Sequence, residues 1–457
     1  MYRRLSRLSI LAAAAALVVS ACGSASSGPV AIRWYCCLGT GEDPAQIKVE
    51  QAVAEAFNAS HPNIKLTFEP IPNQSARDTL ATQLASGNGP DIVGPVGIGG
   101  AEAFHGQWLD LQPYIDKNKY DMTQFPESTV HLYNVGGEGQ LGIPFAVYPS
   151  VLFYKAGLFK EAGLAEPPHQ WGAKYTMPDG SVVDWDYATA TKVAKLLTVD
   201  KNGKDATDPS FDPQNIVQWG FEPQRDDLRQ TGAYWKAGAF ASGADGKTAQ
   251  VPAAWAEAWK WFYQGIWTDH IMMTGPQFVG KDTNPNGYPF FTGNVAMSEN
   301  YLWSTYGVAG AGDDWNMAAT PSFDGQTTAA LNADTFRILK SSKHPDEAFT
   351  VLTYLLGDAS KELLQSYSGM PARVSEQDAF FKTAQEAFKQ PIDWQVAKDG
   401  IAHADVPNFE GYMPAYNESL DLIITFGTKW QATPGLNMDT EIKDLQDQLQ
   451  AIWKKAG

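Results

Sequence analysis

The segment Leu141–Lys155, with the sequence LGIPFAVYPSVLFYK, decides the fold. It is almost entirely apolar and far longer than the usual strand of about 5 or 6 residues. Pro144 and Pro149 interrupt it, and proline is tolerated mainly at sheet edges and crossings because it cannot donate a backbone hydrogen bond. We therefore interpret the segment as a hinge that carries the chain from one lobe into a second lobe.

The residues before the hinge predict an α/β lobe. Strand-like segments at 31–35, 64–68 and 91–93 alternate with helix-like segments at 46–57 and 75–86. This alternation is the βαβ pattern of a parallel sheet. Ligands of such sheets meet the loops at the carboxyl ends of the strands. The loops Cys36–Glu42 and Gly94–Gly100 are therefore candidates for the wall of a cleft.

The residues after the hinge predict a second lobe and a return crossing. A turn-rich region contains one helix at about 186–198, and residues 329–339 are interpreted as the strand that crosses back. A stripe at helical spacing predicts core rather than ligand contacts; its members are Trp255, Trp259, Phe262 and Ile266. We predict lobe 1 from residues 29–145 and 329–367, and lobe 2 from residues 146–328 and 368–457.

Length and composition agree with two globular domains. A chain of 457 residues exceeds one ordinary core. Removing residues 1–21 would take away three arginines and no acidic residue, so the formal net charge of −17 would become −20. An acidic surface argues against nucleic acid as a partner. The 15 Trp, 18 Tyr and 22 Phe suggest that some aromatic rings serve as ligand platforms.

The first 21 residues predict a signal peptide. Arg3, Arg4 and Arg7 precede the apolar run Ile10–Val19, which is too short to span a bilayer. The sequence up to Cys22 resembles the bacterial lipoprotein signal, in which this cysteine becomes the lipidated first residue. Residues 22–28 would then form a flexible tether. The alternative is an ordinary signal peptide in which the cysteine is incidental.

Two further cysteines, Cys36 and Cys37, are adjacent in sequence. Outside the cytoplasm thiols tend to oxidise, and these two have no other cysteine partner once Cys22 is lipidated. Neighbouring Cα atoms lie about 3.8 Å apart, closer than in most disulfides. A Cys36–Cys37 disulfide and two buried free thiols therefore both remain open.

Motifs of catalysis and metal binding are weak, and we predict no enzyme activity, no cofactor and no metal. The chain has no G-x-S-x-G, H-E-x-x-H or Walker motif. The loop that starts at Asp282 begins like a calcium loop but has Gly293 where a bidentate glutamate is required, so we interpret it as a turn. Asp184 and Asp186 could be the acid pair of a glycosidase, but a strand edge or helix cap explains them equally well.

Four stretches resemble the extracellular solute-binding proteins of bacterial ABC importers, the family that includes maltose-binding protein. They are 85–91 (ASGNGPD), 142–171 (with GIPF, FYK, FKEAGL and PPHQW), 293–303 (GNVAM followed by Trp303), and 343–373 (with KHPDEA and GMPAR). The resemblance implies a two-lobed periplasmic-binding-protein-like α/β fold, with a multi-strand hinge and a ligand cleft between the lobes. It also implies a monomer on the outer face of the bacterial membrane, held there only by its lipid, that delivers a carbohydrate to the permease subunits.

By position, Trp303 matches the tryptophan on which this family stacks sugars. In the stretch Phe291–Trp303, we expect Gly293 to turn the chain and Val295–Met297 to anchor it, so that Asn300 and Trp303 face the cleft. Sugar faces pack on aromatic rings, while hydroxyl groups need amide, carboxylate and guanidinium partners. The other expected ligand contacts are Thr40, Glu42, Tyr148, Glu222, Arg225, Trp235, Arg373, Glu410, Tyr412 and Tyr416. The cysteine pair departs from the family pattern in the first ligand-facing loop.

Two other classes compete with a sugar receptor. A secreted glycoside hydrolase would bind the same ligands but would need a reactive carboxylate pair. The same fold could also bind a glycerophosphodiester, a peptide or a polyamine. A polyamine would suit the acidic charge, whereas a phosphate would need more arginines in the cleft than the sequence suggests.

Overall fold

The computed structural model describes residues 28–225, 227–238, 240, 246–281, 283, 289–305 and 314–456. The predicted signal peptide, Cys22, nearly all of the predicted tether and half of the predicted turn from Asp282 to Gly293 lie outside these residues. Within them, no helix is both long and apolar enough to cross a membrane.

The strands range from two to nine residues, and the longest, β6, lies near the middle of the sheet. In chain order they are β1 (Val30–Cys36), β2 (Ile64–Pro70), β3 (Ile92–Val96), β4 (Asn134–Val135), β5 (Gly139–Gln140), β6 (Ala146–Tyr154), β7 (Lys174–Thr176), β8 (Val182–Asp184), β9 (Val199–Asp200), β10 (Ile216–Phe221), β11 (Val295–Tyr301), β12 (Asn316–Ala318), β13 (Leu331–Ile338) and β14 (Met370–Pro371).

The helices cover the sheet and form the C-terminal part of the chain. They are α1 (Pro44–Ser60), α2 (Asn73–Ala85), α3 (Ile98–Glu102), α4 (Gln112–Asn118), α5 (Glu127–His131), α6 (Ala156–Glu161), α7 (Tyr187–Leu197), α8 (Leu228–Ala233), α9 (Ala253–Trp267), α10 (Gly275–Val279), α11 (Pro345–Leu355), α12 (Ser360–Tyr367), α13 (Val374–Gln385), α14 (Gln395–Gly400), α15 (Tyr416–Ala432) and α16 (Met438–Ala456).

One sheet runs through both halves of the molecule. Its strand order is β2-β1-β3-β13-β6-β11-β10-β9, with β12 and β14 also paired to β6. The first half has the parallel pairs β1–β2 and β1–β3, as the βαβ pattern predicts. The second half contains the parallel pair β10–β11. The prediction of a mixed α/β fold with a parallel sheet in the first lobe is therefore confirmed.

The hinge consists of β6 and β13, which pair antiparallel where the two halves meet. Leu331 lies opposite Pro149, and Asp334 lies opposite Ala146. Because β13 also pairs with β3, and β6 with β11, these two neighbouring strands join the lobes. The lobe boundaries given above stay a prediction, but both predicted crossing segments contain a hinge strand.

The aromatic stripe on α9 is core, as predicted. Trp255, Trp259, Phe262 and Ile266 are at most 2% exposed. Trp259 packs near Trp430 of α15, with ring centroids 5.6 Å apart. The C-terminal helices are thereby held to the second lobe, and α15 starts at the cleft.

Candidate functional site

Two cavities lie between the lobes. They flank the loop Cys36–Glu42, which is here called the first loop. The larger, here called the aromatic pocket, measures about 440 Å³, and its lining includes Thr40, Glu42, Gln46, Asn73, Trp303 and Tyr367. The smaller, here called the charged pocket, measures about 200 Å³, and its lining includes Leu38, Arg77, Gly99, Arg229, Glu410 and Tyr416. Leu38 lines one cavity and its neighbour Gly39 lines the other. The predicted loop after β1 contributes to both cavities, and the predicted loop after β3 contributes to the charged pocket.

Trp303 forms the wall that the second lobe contributes to the aromatic pocket. It follows directly after β11, every residue of which is buried. The indole stacks on Tyr301, with ring centroids 4.4 Å apart, and meets the edge of Tyr148 at 5.3 Å. The ring itself is only half-buried. A half-buried indole fixed by two tyrosines is a preformed surface for an apolar face of a ligand.

The first loop supplies the polar wall that faces Trp303. Thr40 donates from its backbone nitrogen and its hydroxyl to Asp334 Oδ2, at 3.0 and 2.5 Å, and its Oγ1 lies 3.1 Å from the Tyr148 hydroxyl. Glu42 is exposed and accepts a hydrogen bond from the Asn73 backbone nitrogen at 2.9 Å. The loop is thus held to hinge strand β13 and to the start of α2.

Cys36 and Cys37 lie directly beneath this loop. Their sulfur atoms are joined as a disulfide, and both residues are buried. Gly41 has a φ of +121°, and a Cβ there would meet both sulfurs and a Glu50 oxygen at less than 3 Å. The loop can therefore approach the cysteine pair this closely only with glycine at this position.

Glu50 closes the floor under the cysteines. It is fully buried, and burial raises its pKa to about 8 although the Tyr367 hydroxyl donates to Oε1 at 2.6 Å. Within the described residues, Glu50 and the two cysteines are the one group of His, Cys, Asp or Glu side chains close enough together to hold a metal ion. Since the sulfurs are bonded to each other, they are not thiolate ligands in this structure.

The charged pocket is built around Arg229, which is 1% exposed. Its Nη2 donates to Asp227 Oδ2 at 3.2 Å and to the Tyr416 hydroxyl at 3.4 Å. Burial lowers the pKa of Arg229, but Asp227 and Tyr416 outweigh it and raise the pKa above its ordinary value, so the guanidinium is charged. Among the described residues, Nε and Nη1 have no hydrogen-bond partner.

Glu410 faces Arg229 across the charged pocket. Burial raises the pKa of its carboxyl to about 7, against the lowering effect of Arg229. Gly99, in lobe 1, lies next to Oε1 of this carboxylate, and its backbone acts against the rise in pKa. The other oxygen, Oε2, is buried and has no partner in the described part of the chain. A guanidinium and a carboxyl group with incomplete hydrogen bonding therefore line one small cavity.

Further contacts join the lobes beside the charged pocket. Arg77 donates to Asn417 Oδ1 at 3.4 Å. His105 stacks on Tyr412, with ring centroids 3.9 Å apart. The segment from Glu410 to Asn417 therefore contacts lobe 1 at several points around this cavity.

The structure brings five of the predicted ligand residues onto the two pockets. Thr40, Glu42 and Trp303 line the aromatic pocket, and Glu410 and Tyr416 line the charged pocket. Tyr148 lies behind Trp303 and Thr40 and is fully buried. These residues come from segments far apart in sequence.

Glu222 and Arg225 instead pair with each other inside the second lobe. Arg225 donates from Nε to Glu222 Oε1 at 2.7 Å and from Nη2 to the same oxygen. Glu222 Oε2 accepts from the Met273 backbone nitrogen at 3.0 Å. Both side chains are 2% exposed. Their charges are used within the protein, so we no longer expect them to contact a ligand.

Four other predicted residues have partners outside the lining of the two pockets. Trp235 stacks on Tyr187 at 4.8 Å, and Asn300 accepts from the Tyr301 backbone nitrogen. Arg373 donates to Gln124 Oε1 at 2.6 Å and to the Tyr120 hydroxyl at 2.9 Å. Tyr412 is 44% exposed beside His105. None of the four belongs to the lining of either pocket as the described residues form it.

The acid pair at Asp184 and Asp186 has structural partners. Asp186 caps α7, where its side chain accepts from the Thr189 backbone nitrogen. Asp184 pairs with Lys174 at 2.7 Å across the small sheet of β7 and β8. The helix-cap explanation therefore accounts for Asp186, and an ion pair accounts for Asp184.

Sequence reasoning missed Arg229, Asp334 and Tyr367. Asp334 lies within a strand whose residues are all buried, and Tyr367 ends a helix, so both have the pattern of core positions. Arg229 follows a helix cap, Asp227, and an arginine in a first helical turn carries no signal of its own. Tyr367 lines the aromatic pocket, Arg229 lines the charged pocket, and Asp334 holds Thr40 of the first loop, and these positions follow from tertiary contacts and not from a local pattern.

Comparison with known proteins gives one family match. The family model described as bacterial extracellular solute-binding protein matches residues 52–390. A Streptomyces antibioticus protein described as an uncharacterized lipoprotein is 23% identical over 211 residues, which cover 43% of this chain and 46% of that protein. The match thus spans less than half of that relative.

Solved structures resemble this chain over nearly its whole length. An ABC substrate-binding protein from Listeria monocytogenes, in complex with cycloalternan, has a TM-score of 0.70 and 17% identity, covering 93% of this chain and 98% of that one. The sugar-binding protein MalE from Xanthomonas citri has a TM-score of 0.68 and 16% identity, with 93% and 98% covered. The cyclic alpha-maltosyl-1,6-maltose binding protein from Arthrobacter globiformis has 0.67 and 17%, with 94% and 100% covered. These likenesses confirm the two-lobed fold.

Proposed function

The chain belongs to the bacterial extracellular solute-binding proteins, and on this premise we propose that it captures a carbohydrate between its lobes. The ligand is an oligosaccharide, and the protein delivers it to the transmembrane subunits of an ABC importer. The protein acts as a monomer and as a receptor, without changing its ligand chemically.

The aromatic pocket is the observation that carries this proposal. Sugar rings expose C–H groups on their faces and hydroxyl groups around their edges. The pocket offers Trp303 for a face, and the exposed side chains of Glu42 and Asn73 for hydroxyl groups. Its volume of about 440 Å³ lies within the usual range of ligand sites. The sugar ligands named for two of the similar structures agree with this chemistry.

A hydrolase is less well supported by the same geometry. Retaining and inverting glycosidases both need two carboxyl groups that face the bond to be cleaved. Asp184 and Asp186, the acid pair that the sequence suggested, serve an ion pair and a helix cap. We therefore assign the cleft to binding alone, and unchanged ligand after prolonged incubation is the expected result.

The ligand class can be tested by thermal-shift screening of residues 29–457. Binding raises stability by mass action, by about 2.7 kcal/mol at a ligand concentration of 100 Kd. We expect oligosaccharides to raise the melting temperature of the wild-type protein and not that of Trp303→Ala. Stabilisation by polyamines, peptides or glycerophosphodiesters but by no saccharide would contradict the proposal.

The lipid anchor is part of the same proposal. Cys22 carries the lipid and holds the protein on the outer face of the cell membrane, with residues 22–28 as the tether. In cells, Cys22→Ser should release the protein from the membrane fraction into the surrounding fluid, while Cys36→Ser should leave it bound. Equal membrane retention of both variants would contradict lipidation at Cys22.

A further inference from the structure

The disulfide of Cys36 and Cys37 lies one layer of chain below the aromatic pocket. Gly41 forms that layer, because it lines the pocket and a Cβ on it would lie 2.6 Å from Cys37 Sγ and 2.9 Å from Cys36 Sγ. Its neighbours Thr40 and Glu42 line the same pocket. A movement of either sulfur would therefore reach the polar wall of the pocket through Gly41.

The backbone on both sides of the cysteine pair is hydrogen-bonded to neighbouring segments. The Cys36 carbonyl accepts from the Ile71 backbone nitrogen at 2.6 Å, and the Leu38 backbone nitrogen donates to the Pro95 carbonyl at 3.2 Å. Bonded sulfur atoms lie about 2 Å apart, whereas unbonded atoms keep about 3.5–4 Å between them. Two thiols therefore need more room than the disulfide, and the sulfurs rather than the backbone would have to move.

The first loop is the part of the surroundings that can yield. Glu50 on α1 and Tyr367 on α12 also enclose the cluster, and both are fully buried. In the loop, Gly39 and Thr40 are partly exposed and Glu42 is exposed. Separation of the sulfurs would therefore displace the loop rather than the two packed helices.

Glu50 offers a thiol a partner that the disulfide cannot use. Its Oε1 accepts from the Tyr367 hydroxyl at 2.6 Å and lies 3.4 Å from Cys36 Sγ. Its Oε2 is buried and has no hydrogen-bond partner among the described residues. A disulfide sulfur carries no hydrogen, whereas a thiol both donates and accepts weakly. The buried carboxyl group therefore has an unused atom beside a sulfur that gains a hydrogen on reduction.

We propose that Cys36 and Cys37 form a thiol–disulfide exchange site that controls the affinity of the aromatic pocket. A dithiol is the co-reactant. One of its thiolates attacks one sulfur of the pair, the Cys36–Cys37 bond breaks, and a mixed disulfide forms. The second thiol of the dithiol then closes on its own first sulfur and releases the pair. The dithiol ends as a disulfide, and its two hydrogens end on Cys36 and Cys37.

This inference rests on the function proposed above, because the loop that moves is the polar wall of the proposed sugar site. Reduction displaces Thr40 and Glu42, so the affinity for saccharide falls. Coupling between two sites is reciprocal, so bound saccharide holds the loop in place and opposes reduction. The oxidised protein is the tight-binding state.

The test uses residues 29–457, in which Cys36 and Cys37 are the only cysteines. Titration calorimetry with maltotriose, cellotriose and mannotriose should show about tenfold weaker binding after treatment with dithiothreitol, because two loop residues lose their ligand contacts. Alkylation and intact mass establish that both thiols have formed. The control variant carries Cys36→Ala and Cys37→Ala, and dithiothreitol should not change its affinity. Where this variant does not fold, reoxidation of the wild-type protein should restore its affinity and serves as the control.

The reciprocal effect is measured in a series of dithiothreitol redox buffers. A tenfold difference in affinity corresponds to about 30 mV for a two-electron couple. A saturating trisaccharide should therefore make the reduction potential of the pair more negative by about 30 mV.

Hydrogen exchange of the ligand-free protein follows the loop without any saccharide. The backbone amides of residues 38–46 should exchange faster after reduction, while those of α16 should keep their rates. Complete reduction with unchanged loop exchange and unchanged affinity would overturn the exchange site and leave the receptor function intact.

Two further outcomes separate the proposals. If the folded protein takes up no label in dithiothreitol while the denatured protein takes up two, the pair is a permanent structural bond and this inference is wrong. If the loop responds to reduction but the oxidised protein binds no saccharide, the receptor function is overturned and the effect of the exchange site on the loop stands.

Discussion

Two buried arginines four positions apart, Arg225 and Arg229, have opposite hydrogen-bonding states. All three nitrogens of Arg225 donate, to Glu222, to the Met273 carbonyl and to Gln431 Oε1. Arg229 is buried at least as deeply, but only its Nη2 has partners among the described residues. Each arginine also has a glutamate nearby. Glu222 accepts hydrogen bonds from Arg225, whereas Glu410 lines the same cavity as Arg229.

The difference teaches that residue type and burial do not identify a ligand-binding arginine. A buried charge with every hydrogen bond made within the protein is part of the fold. A buried charge with unused donors beside a cavity has donors that the fold itself does not use. Hydrogen-bond completeness therefore separates the Glu222–Arg225 pair from the Arg229–Glu410 pair.

The largest expected effect is a loss of folding stability when the hydrogen-bonded pair of Glu222 and Arg225 is broken. Arg225→Ala leaves Glu222 as an unpaired buried carboxylate, and breaking such a pair costs about 3–5 kcal/mol of folding stability. The affinity of the molecules that remain folded should not change. Chemical denaturation measures the free energy of unfolding, and calorimetry on the same sample measures ligand affinity. The control is Lys443→Ala, which breaks an exposed ion pair and should cost less than about 1 kcal/mol of stability. A large loss of affinity at unchanged stability would reverse our assignment.

The second largest effect is expected in the aromatic pocket, where Trp303→Ala should weaken ligand binding. Trp303→Ala removes the indole that lines the larger cavity, and loss of an aromatic anchor typically costs about 2 kcal/mol or more in binding. This corresponds to a weakening of roughly thirtyfold or greater. Trp267→Ala is the matched control, because Trp267 is also partly buried but packs against α15 through the Trp430 carbonyl. Wild-type affinity for Trp303→Ala with a large fall in melting temperature would show that Trp303 is core.

A smaller effect concerns the dependence of stability on pH. The pKa of Glu410 is raised to about 7, mainly by burial, against about 4.3 in an unfolded chain. Between these values the folded state holds a proton that the unfolded state has lost, so stability falls as pH rises through this window. Since solvent reaches part of the residue, we expect a loss of about 1 kcal/mol.

Glu410→Gln should remove this part of the pH dependence. Thermal melts of both proteins from pH 5 to pH 7.5 measure it, since the other buried acids contribute equally to the two curves. Parallel curves would mean that Glu410 is charged throughout and that its carboxylate already has a partner.

The smallest effect is expected at the exposed rim of the aromatic pocket. Glu42 lies in solvent and already accepts from the Asn73 backbone. Glu42→Gln keeps an acceptor and removes only the charge, so we expect about a two- to threefold weaker affinity, or about 0.5 kcal/mol. Glu55→Gln, on the exposed side of α1, provides the calorimetric control. A loss as large as that of Trp303→Ala would move the centre of the site to this loop.

Much of the fold could be predicted because short segments of the sequence carry the pattern of their own secondary structure. The strand at Ala31–Tyr35 is found as β1, the helix at 186–198 as α7, and the two crossings as β6 and β13. In each case hydrophobic periodicity or a proline in an apolar run carries the information along the chain. The stripe on α9 was equally readable, since four apolar residues at helical spacing can face only one side.

The site was predicted less well because it depends on contacts between distant segments. Thr40 and Glu42 follow a strand, and Trp303 follows a recognisable stretch, so position alone suggested them. Arg225 and Arg229 look alike in sequence, and what separates them is the placement of Met273, Gln431 and Glu410. No spacing rule reports which of two buried arginines finds its partners after folding.

The position of β13 late in the sequence has a consequence for how the chain folds. This strand lies between β3 and β6 in the sheet, although it follows the whole of residues 146–328 of the second lobe in the sequence. The pairing of β3 with β13 therefore joins residues far apart in sequence, and such high contact order slows folding. The first lobe therefore cannot complete its sheet until residue 338 has been synthesised, when about three quarters of the chain already exists.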